Sequence, residues 1–283
     1  MNYLRKTRKA ICYNQGELTQ YFYLASHFHR ELKNEVYSST VDLERIQILL
    51  DNLISFLNVK FAEAVNENFS HLAGFYKNRA NEEPRICLKS TYDNQIVDLF
   101  RNDATTYNTK YECSSNTGFE YVKKNGTYYF CNDIPEKAQK GLYINPRLDS
   151  AKIHQYSGLQ KKGPTKLTII KTNIDNEWIN CWKNSSNESR DGIKSCYKST
   201  IIIPLTLKNS SMSDIFLDLT NLDHEGRTIY GFLCFDHINT DYFCIDDIDL
   251  GYIFADLISL YMIARKNFTE RSATYKKAQS MLR

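Results

Sequence analysis

Apolar residues recur at spacings of three and four along the first quarter of the chain and at alternate positions along its last third. Leu18, Tyr21, Phe22, Ala25, Phe28, Leu32 and Val36 predict a helix over 17–37. Ser38-Ser39-Thr40 breaks that pattern, and Ser39 with Asp42 forms a capping-box-like start for a second helix. Ile46, Leu50, Leu53, Leu57, Phe61 and Ala64 step by four, three, four, four and three. This near-heptad stripe fits a helical hairpin or a short coiled coil between subunits. Phe69, Leu72 and Phe75 extend it to about Tyr76, and Pro84 closes it, because the residue before a proline disfavours helix.

The pattern then shortens. Arg85–Lys89 reads as a strand, and Ile96, Val97, Leu99 and Phe100 read as a short helix over 94–101. The stretch 102–125 is polar, with no element assigned. Asn125-Gly126 signals a turn before the β-forming run Thr127–Cys131. Residues 132–195 read as loops, with a short strand at 167–170 and a helical piece near 177–182. Two strands, Ser199–Leu207 and Thr228–Asp236, are joined by a polar link over 209–227. Asp246-Asp247 then opens an amphipathic helix through Ile248, Leu250, Ile253, Phe254, Leu257, Ile258 and Tyr261, with acids and bases placed to suit the helix dipole.

Composition narrows the class. With 42% hydrophobic and 13% aromatic residues, 11 Gly and 5 Pro in 283 residues, the chain is neither disordered nor fibrous. Net charge is +3, but residues 1–16 carry +4 and residues 265–283 carry +5, which leaves 17–264 at −6. An acidic body disfavours nucleic acid as a partner, and the basic ends read as solubilising tails. The basic start has no apolar run after it, and the apolar stretch at 248–263 is interrupted by Asp249 and Asp256. A cytoplasmic protein with no membrane span is therefore expected. Eight cysteines include no C-x-x-C pair and no zinc-like Cys/His spacing, and most should be free thiols.

The last third has a recognisable order: Pro204-Leu205 at a strand end, Gly231-Phe232-Leu233-Cys234-Phe235-Asp236, then Phe243-Cys244-Ile245-Asp246-Asp247 ahead of a closing helix. It resembles the C-terminal half of a GAF domain. Gly126–Asp133 looks like that family's mid-domain strand running into an Asp, and the helix before Pro84 looks like its lead-in helix, which often pairs subunits. The resemblance implies an α+β fold, a GAF-like antiparallel central sheet flanked by helices, preceded by an N-terminal helical hairpin. The division implied is 1–78 helical, 79–265 GAF-like, and 266–283 a basic tail.

The resemblance also implies a ligand held between the sheet and the elements covering one face. Because strand residues alternate, Thr200 and Ile202 share a face, as do Cys234 and Asp236. The ligand-binding set expected is Tyr129, Cys131, Asp133, Thr200, Ile202, Cys234 and Asp236, with Asp236 the polar residue on which binding turns. The expected partner is a small molecule, a nucleotide among the candidates, or a protein. The family's cyclic-nucleotide signature is not met, since Ile248 stands where its Glu belongs. No cofactor is identified, and no catalytic residue or metal ligand is assigned. A GAF-fold enzyme that reduces free methionine sulfoxide is the main competing class. At its matched positions stand Ile193, Thr200, Cys234 and Asp236, and Cys196 is displaced by three. A thiol sensor using Cys131, Cys196 or Cys234 lies between the two. The remaining alternative is a dimeric scaffold without ligand. In the leading reading the protein is a homodimer through its N-terminal helices and signals through them or through a separate partner.

Overall fold

The computed structural model describes residues 2–80, 83–92, 94–102, 110–145, 197–208 and 227–283. The expected elements at 167–170 and 177–182, most of the 209–227 link, and Cys196 lie outside these residues. The described chain is a mixed α and β structure of two compact units. One comprises Met1–Asn78, Thr206–Tyr230 and Asp256–Arg283, and the other Arg79–Leu205 and Gly231–Ala255.

The first unit is built on a pair of long helices, α1 (Asn2–Val36) and α2 (Leu43–Ala80). Helix α1 starts well before the predicted residue 17. Thr7, Ala10 and Asn14 continue its buried stripe, and two of them are polar, so periodicity of apolar residues alone misses them. The N-cap of α2 is Asp42, not Ser39: its Oδ1 accepts from Arg45 N at 3.1 Å, and its carbonyl accepts from Ile46 N at 3.0 Å. Ile46, Leu50, Leu53, Leu57, Phe61 and Ala64 are all buried within the chain. Tyr21 links the helices, stacking on Phe56 at 5.7 Å and donating to Leu57 O at 3.3 Å. Asn14 and Asn68, fully buried, exchange two side-chain hydrogen bonds of 2.9 Å.

The C-terminal stretch is helical rather than a tail. Helix α5 (Ile245–Lys266) is followed by a π-helical turn (Asn267–Arg271) and by α6 (Ala273–Met281). Ser272 caps α6 by accepting from Tyr275 N at 3.1 Å and also bonds His29 at 2.9 Å. Lys277 lies 3.9 Å from the Tyr37 ring centroid. Of the six bases that read as tail charges, Arg265 and Lys266 end α5, Arg271 ends the π-helical turn, and Lys276 and Lys277 lie on α6, which packs on α1.

The second unit carries the sheet. Its strands are β1 (Arg85–Tyr92), β2 (Gln95–Arg101), β3 (Lys110–Glu112), β4 (Tyr129–Cys131), β5 (Ser199–Lys208) and β6 (Arg227–His237), in the order β3-β2-β1-β6-β5-β4. The ends of β5 and β6 and the second half of α5 are counted with the first unit. The pairs β1–β2, β1–β6, β2–β3 and β4–β5 are antiparallel. Lys198 N donates to His237 O at one end of β5 and β6, while Leu205 faces Gly231 at the other, so this pair is antiparallel too.

The predicted helix over 94–101 is strand β2. Tyr92 pairs with Gln95, leaving a two-residue hairpin loop in which Asn94 takes φ 66°. That left-handed conformation suits Asn, and β-branched Ile96 and Val97 suit the ladder that follows. The polar stretch 102–125 contains β3 and helix α3 (Thr117–Asn125). Asn116 caps α3 through Gly118 N and Phe119 N, and Gly126 ends it at φ 67°. A one-turn helix, α4 (Ile134–Gln139), follows β4.

Candidate functional site

Register assigns the two faces of the sheet. Cys131 pairs with Thr200 and Tyr129 with Ile202, so these four side chains share a face. The Thr200 hydroxyl donates to Asp236 Oδ1 at 2.8 Å, which brings Asp236, Cys234 and Phe232 to the same face. Arg85 pairs with Asp236, Cys87 with Cys234 and Lys89 with Phe232. The face therefore continues onto β1 as Arg85, Cys87 and Lys89. Helix α3 covers part of it. Phe119 lies edge-on to Phe232 at 4.8 Å, and a Cβ on Gly118 would come within 2.5 Å of Ile202 Cδ1. On the opposite face α5 is equally close: a Cβ on Gly251 would meet Ile203 at 2.1 Å and Phe235 at 3.2 Å.

A β-bulge completes the arrangement. The β1–β2 register shifts between Leu88 and Lys89, so Lys89 pairs with Asp98 while Cys87 pairs with Arg101. Leu99 is the extra residue. Without it, Asp98 and Arg101, three apart, would point to opposite faces; with it they share one. Arg101 Nη2 then reaches Asp98 Oδ2 at 2.8 Å, and Lys89 Nζ bonds Asp98 Oδ1. These three side chains are only 6, 5 and 8% exposed for Lys89, Asp98 and Arg101. Lys89 also lies 5.9 Å from the Phe119 ring centroid.

The carboxyl of Asp236 sits apart from that triad. Burial pushes its pKa up, opposed by the Thr200 hydrogen bond and by the fields of Lys89, Arg85 and Arg101. Tyr143 is buried and shares its hydroxyl with Tyr197 at 3.2 Å, and Asn145 donates to the same Tyr197 oxygen. Burial and, to a smaller degree, the Asp236 charge raise the Tyr143 phenol. The Tyr129 and Tyr143 rings stand 6.3 Å apart. A sheet face that carries an ionic triad at one end, a carboxyl and phenols at the other, and small thiols between them can hold a polar molecule by both charge and hydrogen bonds.

Six of the seven residues expected from sequence thus share this face: Tyr129, Cys131, Thr200, Ile202, Cys234 and Asp236. Asp133 stands beyond β4 and caps α4, accepting from Glu136 N at 2.9 Å. The sequence reading missed Arg85, Cys87, Lys89, Asp98, Arg101 and Tyr143. The alternation Arg85-Ile86-Cys87-Leu88-Lys89 was the available signal, because charges alternating with apolar residues on a strand covered on both faces must point inward. The motif residues after β6 are structural. Asp247 accepts from the N-cap Cys244 N at 2.7 Å, and the Asn132 side chain clamps the Phe243 backbone at 2.7 and 3.3 Å. His237 is the last residue of β6, buried, accepting from Asn239 N in the turn that follows and stacked on Tyr242 at 3.5 Å.

The thiols on the face are buried. Burial pushes Cys87 up to about 11 and raises Cys131 and Cys234 as well. At neutral pH such groups are protonated and behave as small apolar side chains. Among the described residues no group of three or more His, Cys, Asp or Glu side chains is placed to hold a metal ion, and no helix is long and apolar enough to cross a membrane. No protein-family model matches the chain, and no curated protein matches it in sequence.

Proposed function

We propose that the second unit binds a small polar molecule on the face of the sheet that carries Asp236, and that the protein is a regulatory sensor of the GAF-like kind its sequence resembles. The observation that carries this reading is the chemistry of that face. A sheet face serving only as core is apolar, because each buried ion pair has a desolvation cost that its Coulomb attraction roughly offsets at best. Here a buried triad of Lys89, Asp98 and Arg101 shares the face with the half-buried carboxyl of Asp236. Ligand recognition is one use for which such groups are held at that cost, and it is the use this reading assigns them. The antiparallel sheet with α3 over one face is the arrangement the resemblance implies.

The thiol-enzyme reading is weaker. Its nucleophile would have to be a thiolate, and of its candidates Cys131 and Cys234 are held as thiols by burial, while Cys196 lies outside the described residues. A homodimer through the N-terminal helices remains part of the proposal, but its seam is not the heptad stripe, which is buried within the chain. The exposed Ile48 and Val59 of α2 are the positions that would carry it.

The test is intact mass spectrometry of natively purified protein under folding and denaturing conditions. An added mass that is lost on denaturation, and absent from folded Asp236→Ala, supports the site. Normal retention of that mass by Asp236→Ala removes it. A monomer at micromolar concentration removes the dimer.

A further inference from the structure

The helix pair gathers like charges at one end. Residues 2–16 contain Arg5, Lys6, Arg8 and Lys9 and no acid, and residues 68–78 of α2 contain Lys77 and no acid. Packing lays these two stretches side by side. Lys6 Nζ lies 5.9 Å from the Phe75 ring centroid, the Tyr13 and His71 rings stand 6.4 Å apart, and the buried Asn14–Asn68 pair fixes the register. Helix α1 has no acid in its first turn, so Arg5 and Lys6 stand beside the positive end of its own dipole. Neither placement stabilises the helices. Among the described residues no ion pair is formed by Arg8, Lys9 or Lys77. Acids begin only at the level of Tyr13, whose phenol is raised by burial and then by Glu17, Glu67 and Glu63.

The bases also share a face. Thr7, Ala10 and Asn14 form the buried stripe of this end of α1. At 3.6 residues per turn, Arg8, Lys9 and Cys12 fall on the opposite side, and all three are exposed. Ile11 and Tyr13, 42 and 38% exposed, border them on either side. A short cationic face with an exposed aliphatic group and a phenol suits the headgroup region of an anionic bilayer, where lipid phosphates and carboxylates meet the bases. A nucleic-acid strand suits it less. Lys6 to Glu17 is roughly 16 Å along the helix, so a long polyanion following α1 would run onto Glu17 and Glu67.

We propose that this end of the α1–α2 pair is a docking surface for an anionic lipid bilayer, engaged through Arg8 and Lys9 with Ile11 and Tyr13 at the headgroups. The contact is peripheral and reversible. The apolar stripe of α1 is already buried within the chain, so the bases supply most of the attraction and no helix inserts. The surface is independent of the Asp236 face.

The experiment is flotation of the purified full chain with vesicles of phosphatidylcholine and phosphatidylserine in about a 7:3 ratio, against vesicles of phosphatidylcholine alone. The expected result is binding to the mixed vesicles only, lost at about 1 M salt, where screening acts within about 3 Å. The double variant Arg8→Gln, Lys9→Gln, folded by circular dichroism, should partition about 25-fold more weakly, at about fivefold per base. The double variant Lys276→Gln, Lys277→Gln removes the same charge from α6 and should change partitioning by less than about twofold, because a base away from the membrane is screened. Absence of flotation with the mixed vesicles at low salt overturns the proposal. Equal losses in the two double variants overturn the surface, since net charge alone would then account for binding. A short DNA or RNA duplex that displaces the vesicles and is itself lost in the Arg8, Lys9 variant overturns the bilayer as partner and assigns the bases to nucleic acid.

Discussion

The Asn14–Asn68 pair offers a sharp test of how the helical unit is held. Each amide gives one N–H to its partner's oxygen at 2.9 Å and the other to the carbonyl four residues back, Ala10 at 2.8 Å and Ala64 at 2.7 Å. Both side chains are fully buried, so the pair is satisfied only as a unit. Replacing Asn68 with Leu, similar in shape, leaves Asn14 with an acceptor and a donor facing methyl groups. Each stranded group costs about 1–3 kcal/mol, so the single change should cost about 2–6 kcal/mol. At about 2–4 °C per kcal/mol for a chain of this size class, the melting temperature should fall by roughly 4–24 °C. Asn14→Leu should behave alike. The double variant removes both sets of polar groups and should be close to wild type, more stable than either single variant. The assay is a double-mutant cycle by thermal or urea unfolding. Single variants within about 2 °C of wild type, or a double variant showing the sum of the two losses, would refute the reasoning, the threshold being the smallest shift that even one stranded group would give.

Other expectations follow from the second unit. Gly231→Ala would bring a Cβ within 2.1 Å of the Lys89 carbonyl oxygen, a backbone atom that cannot swing away, and should cost at least the roughly 1–3 kcal/mol of an overpacked core, read as a lowered urea midpoint. Because the Asp236 pKa is raised on folding, the folded protein holds its proton more tightly than the unfolded chain. That contribution to stability is present below the unfolded pKa and is lost as pH rises through the folded one. Asp236→Asn should therefore flatten this part of the ligand-free pH–stability curve and melt higher than wild type at neutral pH; an unchanged curve would refute the assignment. Alkylation of the folded protein with mass mapping should label exposed Cys12 and Cys244 well before Cys87, Cys113, Cys131 and Cys234, and rapid labelling of Cys87 would contradict its burial.

Much of the fold was legible because periodicity and burial agree. The stripes of α1 and α2, strands β5 and β6, and the closing helix α5 are long enough for the pattern to average over exceptions. Thr200, Ile202, Cys234 and Asp236 reached a common face because strand alternation is strict over the lengths used. The misreadings occur where one residue overrides the pattern. Asn94 in a left-handed conformation turns the chain back, and Ile96–Phe100 then pairs as a strand although its apolar spacing also suits a helix. Thr7 and Asn14 are buried polar residues in a helix whose pattern was sought among apolar ones. Arg85 and Lys89 went unassigned to a face because nothing in a strand of five residues says that both faces will be covered.

Leu99 carries the widest consequence of any single residue on the sheet. Its side chain binds nothing in the argument above; its contribution is one unit of chain length. Counting along β2, it changes odd to even, and so determines that Asp98 and Arg101 meet on one face instead of being divided by the sheet. Substitution at this position leaves the count intact, whereas deletion reverses it for one side of the bulge. The ionic triad is therefore indifferent to what residue 99 is and wholly dependent on there being one, so related chains should vary freely in identity here while never varying in length.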